Sequence, residues 1–434
     1  MDPLEGLDDV DWAGLRHAYG SAEGIPAALR ALRSSSSDER KEALTERLWH
    51  SIWHQGTRYE ATAAAVPFMV ALAADPATPD RKEIVYLLMM LSVGYPDERL
   101  PDGVDIAAWR ADLRERRTLT PEGWERLLDA WVAEAPNEHQ RDRRGWLREE
   151  RDQQDELRRL EVDLAVYDAV LAGVPALRPL LESPESELRT WTAALLGLFP
   201  EEAASLIPAL DARLEAESDA FALSNVITAL GMLGHREALP RIRPFLSGDR
   251  PVLRLAAATA LVGLGEVDET VIGQLTVSSA WANLGHTAGA FRTLAGSGSL
   301  ESATRLLRNA EAVDPAGFDR ALEGLRTGPV TRTRLMVGAA LTFAFGILDL
   351  GDCMIHTTAP FLAGIKVPYD EEELPAGEEI EPFEDLDDRQ RDVVRALADL
   401  PPDAWDDAVI ETMLKSWGVP DDLAGLREYL AGSE

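Results

Sequence analysis

A chain of 434 residues, 46% hydrophobic and 27% charged, has the material for two or three domains or for one elongated repeat array, and its composition excludes wholesale disorder. With 76 acidic against 43 basic residues, its net charge of −33 repels phosphate backbones and anionic lipid and so disfavours a nucleic-acid or membrane-surface role. The single cysteine, Cys353, excludes an intramolecular disulfide framework and any multi-cysteine zinc site. The opening MDPLEGLDDVDW is acidic and lacks an apolar core, so no signal peptide is expected. The longest apolar stretch, Met336 to Leu348, is shorter than the roughly 20 residues a bilayer needs, and a cytoplasmic, reducing location is the expectation.

Alanine, leucine and arginine dominate, as helices tolerate well, and alternating strand patterns with tight Asn-Gly or Asp-Gly turns are nearly absent. The predicted elements are therefore helices. The first is IPAALRALRS from Ile25, followed by a serine run in which Ser37 is placed to cap the helix DERKEALTERLWHSIW. AVPFMVALAAD from Ala65 and RKEIVYLLMMLSVG from Arg81 follow. The segment 96–163 interrupts this spacing. It is highly charged, as in REERDQQDELRRLEVD from Arg148, it carries Trp109, Trp124, Trp131 and Trp146, and it reads as an inserted helical arm that packs on the array or contacts a partner.

From residue 172 to about 277 one pattern recurs. VPALRPLLES, IPALDARLEA and LPRIRPFLSG place Pro175, Pro208 and Pro240 at intervals of 33 and 32 residues, where a first-turn proline costs no hydrogen bond. Each is followed by an apolar second helix, and Gly234 and Gly265 fall where a left-handed C-terminal cap is wanted. A helix pair of this kind cannot bury its apolar face alone and must stack on its neighbours. These units resemble HEAT repeats, with an early proline in the first helix and an arginine in an alanine-rich second helix, as at Leu188-Arg189 and Leu253-Arg254. Helices continue with weaker periodicity from Ser299 to Leu350. PYDEEELPAGEEIEPFEDLDD then holds eleven acidic and no basic residues and reads as a flexible linker before an acidic helical tail.

The expected architecture is all-α: a right-handed α-solenoid of HEAT-like helix pairs with an inserted helical arm and a small C-terminal helical cap. Its parts are 1–95, N-terminal helices; 96–163, the arm; 164–367, central repeats; 368–388, the linker; and 389–434, the cap.

The most distinctive string is WHSIWHQGTRYEATAAAVPF, Trp49 to Phe68. Trp49, His50, Trp53, His54, Gln55, Tyr59 and Glu60 are its candidate partner- or ligand-binding residues. Glu46, His50 and His54 are spaced one helical turn apart, a metal-ligand interval, but the zinc-protease pattern needs a glutamate where Ser51 stands. The alternative is structural: Trp49 and Trp53 anchor the helix in the core while His54 and Gln55 bond the turn at Gly56 and Thr57. A second cluster, Asp349, Asp352, Cys353 and His356, offers a thiol and a base, yet its carboxylates oppose thiolate formation, and a packing role fits as well. His235 and His286 follow glycines at helix ends, where histidine complements exposed carbonyls. Phosphate-loop, GxSxG, dinucleotide and CxxC patterns are absent, so no catalytic residue, cofactor or metal is assigned.

Trp53-His54-Gln55-Gly56-Thr57 and Ala65-Val66-Pro67-Phe68 resemble an element of a group of bacterial HEAT-repeat proteins, and the C-terminal tail is similar to the end of the same proteins. That resemblance implies an immunity or partner-binding role. A solenoid's long concave surface independently favours a non-enzymatic protein-binding scaffold, and the acidic charge points to a protein or peptide partner with a basic surface, such as a toxin to be neutralised or chaperoned. Two other readings stand beside it by fold analogy. One is a lyase-type enzyme acting on a small molecule or peptide in the groove, with His54, Tyr59 and Glu60 as its groups. The other is a DNA-binding protein using a stripe of Arg189, Arg241, Arg243, Arg250 and Arg254, which the net charge disfavours. Oligomeric state is left open.

Overall fold

The computed structural model describes residues 2–135, 138–268, 317–327, 382–405 and 417–431, with a few isolated positions between them. The chain is mostly helical. It divides into two compact units; among the described residues the first holds 2–124 and 151–266, and the second holds 125–150, 317–327 and 382–431. The segment read as one inserted arm is therefore shared between units. Its early residues Leu100, Val104, Ile106 and Leu113 are buried in the first unit, where Trp109 packs edge-on against Tyr167.

The first unit opens with a short hairpin, β1 (Arg16–His17) and β2 (Gly20–Ser21), and then α1 (Ile25–Ala31). A continuous helical run follows, made of α2 (Ser37–Glu42), a π-helical stretch (Ala43–Trp49) and a final turn, α3 (His50–Ile52). Its cap is Ser36, whose hydroxyl accepts from the Glu39 N–H, one residue before the expected Ser37. A second hairpin, β3 (Trp53–His54) and β4 (Thr57–Arg58), precedes α4 (Glu60–Ala74) and α5 (Arg81–Val93). Then come α6 (Ile106–Arg116) and α7 (Pro121–Ala133), which runs on into the second unit, where α8 (Glu138–Glu150) lies. Back in the first unit are α9 (Gln153–Leu177), α10 (Ser186–Leu196), α11 (Ala203–Ala216), α12 (Ala220–Met232), α13 (Leu239–Ile242) and α14 (Pro251–Gly263).

Packing in the first unit is sequential. Helix α5 touches α4, α9 and α10; α10 lies against α5 and α12; and α12 lies against α10 and α14. The expected glycine caps form at Gly234 (φ 69°) and Gly265 (φ 72°). In each, the next N–H reaches back to the carbonyl five residues earlier, His235 to Leu230 and Glu266 to Leu261. The prolines behave differently from expectation. Pro240 is in a first turn, but Pro175 lies near the end of α9 and Pro208 in the interior of α11. Helix α9 starts far upstream because Asp152 caps it, accepting from the Gln154 and Asp155 N–H groups, and because Leu164, Val166, Tyr167 and Val170 have an apolar surface to cover. It passes without a break through residue 163, the expected end of the arm.

The second helices are not one-sided. In α12 every residue from Ala222 to Met232 is buried, and in α14 so is every residue from Leu255 to Val262. The loop after α5 contributes cover: a Cβ built on Gly263 would stand 2.5 Å from the Pro101 carbonyl oxygen, and one on Gly103 2.7 Å from that of Met232. Among the described residues, the stretch Gln153–Glu182 is long and apolar enough to cross a membrane, and half of its apolar window is buried inside the protein.

In the second unit, Gly317–Thr327 (α15), Asp388–Ala398 (α16) and Leu423–Ala431 (α17) are described, with α16 against both others. Residues 382–388, assigned from sequence to a flexible linker, belong to this unit instead. Phe383 and Leu386 are buried, Phe383 meets Tyr429 edge-on at 6.1 Å, and Asp387 caps α16. Two apolar anchors and a cap outweigh the acidic composition there. Cys353, His356, Asp349, Asp352, His286 and residues 368–381 lie outside the described residues.

Candidate functional site

The distinctive string folds as a helix end and a tight hairpin. Trp53 leaves the helix with extended geometry (φ −138°, ψ 113°), and Trp53 pairs with Arg58 and His54 with Thr57. Gln55 (φ 50°) and Gly56 (φ 84°) are both left-handed, the requirement of a type I′ turn. At Gly56 space adds to conformation, since a Cβ there would overlap the Tyr95 ring. The hairpin is clamped on both strands. Trp53 Nε1 donates to the Gly94 carbonyl at 3.2 Å, while buried Arg58 grips Asp163 on α9 through Nε (2.7 Å) and Nη2 (2.5 Å), its guanidinium 5.9 Å from the Trp109 ring centre.

This geometry corrects the proposed histidine spacing. Because the helix stops at Ile52, His54 is on a strand and cannot share a helical face with Glu46 and His50. His50 is exposed, 3.9 Å from Glu46. His54 is half-buried with its ring edge-on to Tyr19 at 5.6 Å, and Tyr19 is itself 68% exposed. Tyr59 is half-buried, and burial, with the nearby Tyr19 adding to it and Arg159 opposing, pushes its hydroxyl above the usual tyrosine range. It therefore keeps its proton at neutral pH, which makes it a poor base. Gln55 and Glu60 are exposed. Among the described residues no hydrogen bond joins His54, Tyr59 and Glu60, and no group of three or more His, Cys, Asp or Glu side chains stands close enough to hold a metal ion.

The two tryptophans join something larger. Trp53 is buried and Trp49 half-buried, with 5.2 Å between ring centres. Trp49 stacks on Tyr86 of α5 (5.6 Å, 19° between planes), and Tyr86 meets Trp191 of α10 at 4.5 Å. The four rings make one row from the hairpin to α10, the last three half-buried. Tyr86 and Trp191 are missing from the sequence candidates, although a signal exists: each is the sixth residue of its helix, so the packing of α5 on α10 brings equivalent positions together.

Carboxylates edge this row. Arg40 pairs with Asp80 (2.7 Å), Arg81 with Glu185 (3.0 Å) and Lys82 with Glu187. Burial, helped by Glu187 and Asp80 and opposed by Lys82, raises the Glu83 carboxyl above its ordinary range. Beside Trp191 is a small, shallow hollow, open to solvent, lined by Ser186, Glu187, Thr190, Trp191, Asp219 and Phe221.

The arginines read as a stripe are engaged within the protein. Arg189 makes a two-pronged bond to Glu217 (2.7 and 2.8 Å), Arg241 binds Asp211 (2.6 Å), Arg243 faces Glu266 (3.6 Å), and Arg250 reaches the Ser218 carbonyl (3.4 Å). Arg40, Arg189 and Arg254 also share one device, each donating to the carbonyl six residues back, at Ser34, Ser183 and Gly248 (2.8 to 2.9 Å), and so tying the loop to the helix it leads into. His235 does not serve helix-end carbonyls as expected; its ring lies between Asp211 (3.0 Å) and Glu237 (3.1 Å).

No family model matches the chain, and no curated protein matches it. Among solved structures it is similar to a crystal structure described as an engineered protein, from the Northeast Structural Genomics Consortium. The identity is 16% over 94% of this chain and 98% of that one, with a TM-score of 0.26, an overlay too loose to bear on fold or function.

Proposed function

We propose that the chain is a HEAT-like α-solenoid that serves as a non-enzymatic binding scaffold for a protein or peptide with a basic surface, in the manner of a protein that neutralises or chaperones a toxin. Three features support the solenoid: the sequential packing of α5, α10, α12 and α14, the glycine caps at Gly234 and Gly265, and the arginine that recurs at the same reach in three helices. The observation that carries the binding role is the row Trp53, Trp49, Tyr86 and Trp191. The half-buried rings Trp49, Tyr86 and Trp191, braced by one another and by buried Trp53 and edged by ion-paired carboxylates, are the composition of an interface core and its rim. The contact then lies on the hairpin, the end of the π-helical stretch and the first two turns of α5 and α10, because the later residues of these helices are covered. The chain's net charge of −33 speeds association with a basic partner and makes it sensitive to salt.

Affinity capture from nuclease-treated source lysate, with wild-type chain and a Trp49→Ala variant of matched melting behaviour as baits, tests this. One stoichiometric basic protein, retained at physiological salt, released by higher salt and weakened by the substitution, is the expected result. Turnover of a small molecule with no protein retained would refute the proposal.

A further inference from the structure

The helical run that leads to Trp49 contains about one residue more than plain α winding would need. In its π-helical stretch, Ala43–Trp49, each N–H reaches back five residues instead of four, which takes up the surplus. Both ends of the run are anchored. At the near end the Ser36 hydroxyl accepts from the Glu39 N–H, and Arg40 is fixed twice, through Nε to Asp80 (2.7 Å) and through Nη1 to the Ser34 carbonyl (2.8 Å). At the far end Leu48 and Ile52 are buried and Trp49 stacks on Tyr86. Ala43, five residues before Leu48, is the buried residue of the preceding turn, whereas Leu44, which α winding would put in that place, is half-buried.

Each near-end anchor has a chemical double one residue later. Ser37 follows Ser36, Lys41 follows Arg40 and Leu44 follows Ala43, and the serine run Ser34–Ser37 offers the same side chain whichever of its residues enters the helix. Ser37 and Lys41 are exposed where they stand. We propose that the run is a two-register device. In the second register the near end slides by one residue against a fixed far end: Ser37 caps, Lys41 faces Asp80, Leu44 takes the place of Ala43 in line with Leu48 and Ile52, and the winding is α throughout. The loop after α1 gains the residue that the helix gives up, at little entropic cost. Two differences hold the second register as the minor one. Leucine is larger than alanine in a stretch against which α1 packs, and a lysine ammonium replaces an arginine bonded two ways. The slide changes the hold on Asp80, the residue that leads into α5 and Tyr86, and so ties the edge of the aromatic row to the state of the helical run.

Two double-mutant cycles on the full chain, read as denaturant midpoints, test it: Ser36→Ala with Ser37→Ala, and Arg40→Ala with Lys41→Ala. If both registers are in use, Ser37→Ala and Lys41→Ala leave the midpoint of the wild-type chain unmoved, and each lowers it once Ser36→Ala or Arg40→Ala has made its residue the working anchor. Deletion of the exposed Glu46 removes the surplus residue, so the described anchors fit an unbroken α-helix and both couplings are expected to vanish. Additive midpoints in both cycles overturn the inference. So does coupling that survives the deletion, which is what a frayed first turn would give. Should the shortened chain not fold, the cycle at Lys41 decides alone, because fraying of the first turn does not bring Lys41 onto Asp80.

Discussion

The first turns of α5, α10 and α12 and the remainder of the same helices are built to opposite specifications. At the start of α5 the residues Arg81, Lys82, Glu83 and Tyr86 keep some access to solvent, and from Leu87 to Val93 every residue is buried. Helix α10 repeats the arrangement, with Ser186, Glu187 and Trp191 half-buried and the rest covered, and α12 compresses it to Ala220 and Phe221. A helix that is apolar all round has neighbours on every side and no free face to offer. On the binding role proposed above, recognition falls to their first two turns, and the buried lengths hold those turns in line.

If the buried part holds the rim in place, its failure should have the largest effect. Arg189→Ala leaves the buried Glu217 carboxylate with Arg213 and two backbone N–H groups but without its two-pronged partner, and about 2–3 kcal/mol of stability is expected to be lost in a denaturant titration. Arg254→Ala, which removes a bond to the Gly248 loop carbonyl at a half-buried site, should cost less. A loss as large from Arg254 as from Arg189 would dissolve the distinction.

The hairpin offers a second break. Gly56→Ala places a side chain in a left-handed turn and against the Tyr95 ring, for an expected cost of about 1–3 kcal/mol. Because Tyr95 packs on Trp53, it should also disturb the near end of the row, visible as a shift in tryptophan emission.

Acid sharpens the comparison further. Burial alone would raise the Glu217 carboxyl, but the Arg189 hydrogen bond, the Asp219 N–H and the charges of Arg189 and Arg213 bring it below its ordinary value of 4.5. A depressed carboxylate contributes stability that is fully present above the unfolded value and is lost as pH falls through the folded one. Melting temperature should therefore decline as pH drops below 4.5, and less steeply in Glu217→Gln than in wild type. The smallest effect is expected at the rim itself: Asp219→Ala removes a helix cap worth about 1 kcal/mol and should leave the core untouched by hydrogen exchange.

What was legible in the sequence was local. The glycine caps at Gly234 and Gly265 could be read because a glycine that closes an apolar helical run supplies the left-handed residue on which helices commonly end. Pro175 and Pro208 misled because a proline constrains its own turn and the preceding residue but does not stop a helix that a cap and a buried stripe carry through it. The hairpin was hidden by its turn: Gln-Gly meets the type I′ requirement, but glutamine is not among the residues that announce it. The row was hidden because Trp49, Tyr86 and Trp191 come from three elements far apart in the chain, and only packing aligns them. Arg189 and Arg254 stand at equivalent places in α10 and α14, while their use, bonding back to the loop before the helix, is visible only in three dimensions.

The most direct measurement is amide hydrogen exchange of the chain with and without the basic partner retained in lysate capture. The first N–H groups of a helix have no intrahelical acceptor and exchange readily, so they report a ligand laid over them. Added protection centred on residues 81–86 and 186–191 is the expected result. Protection confined to residues 138–150, or none in the first turns of α5 and α10, would contradict the assignment of the binding surface to the aromatic row.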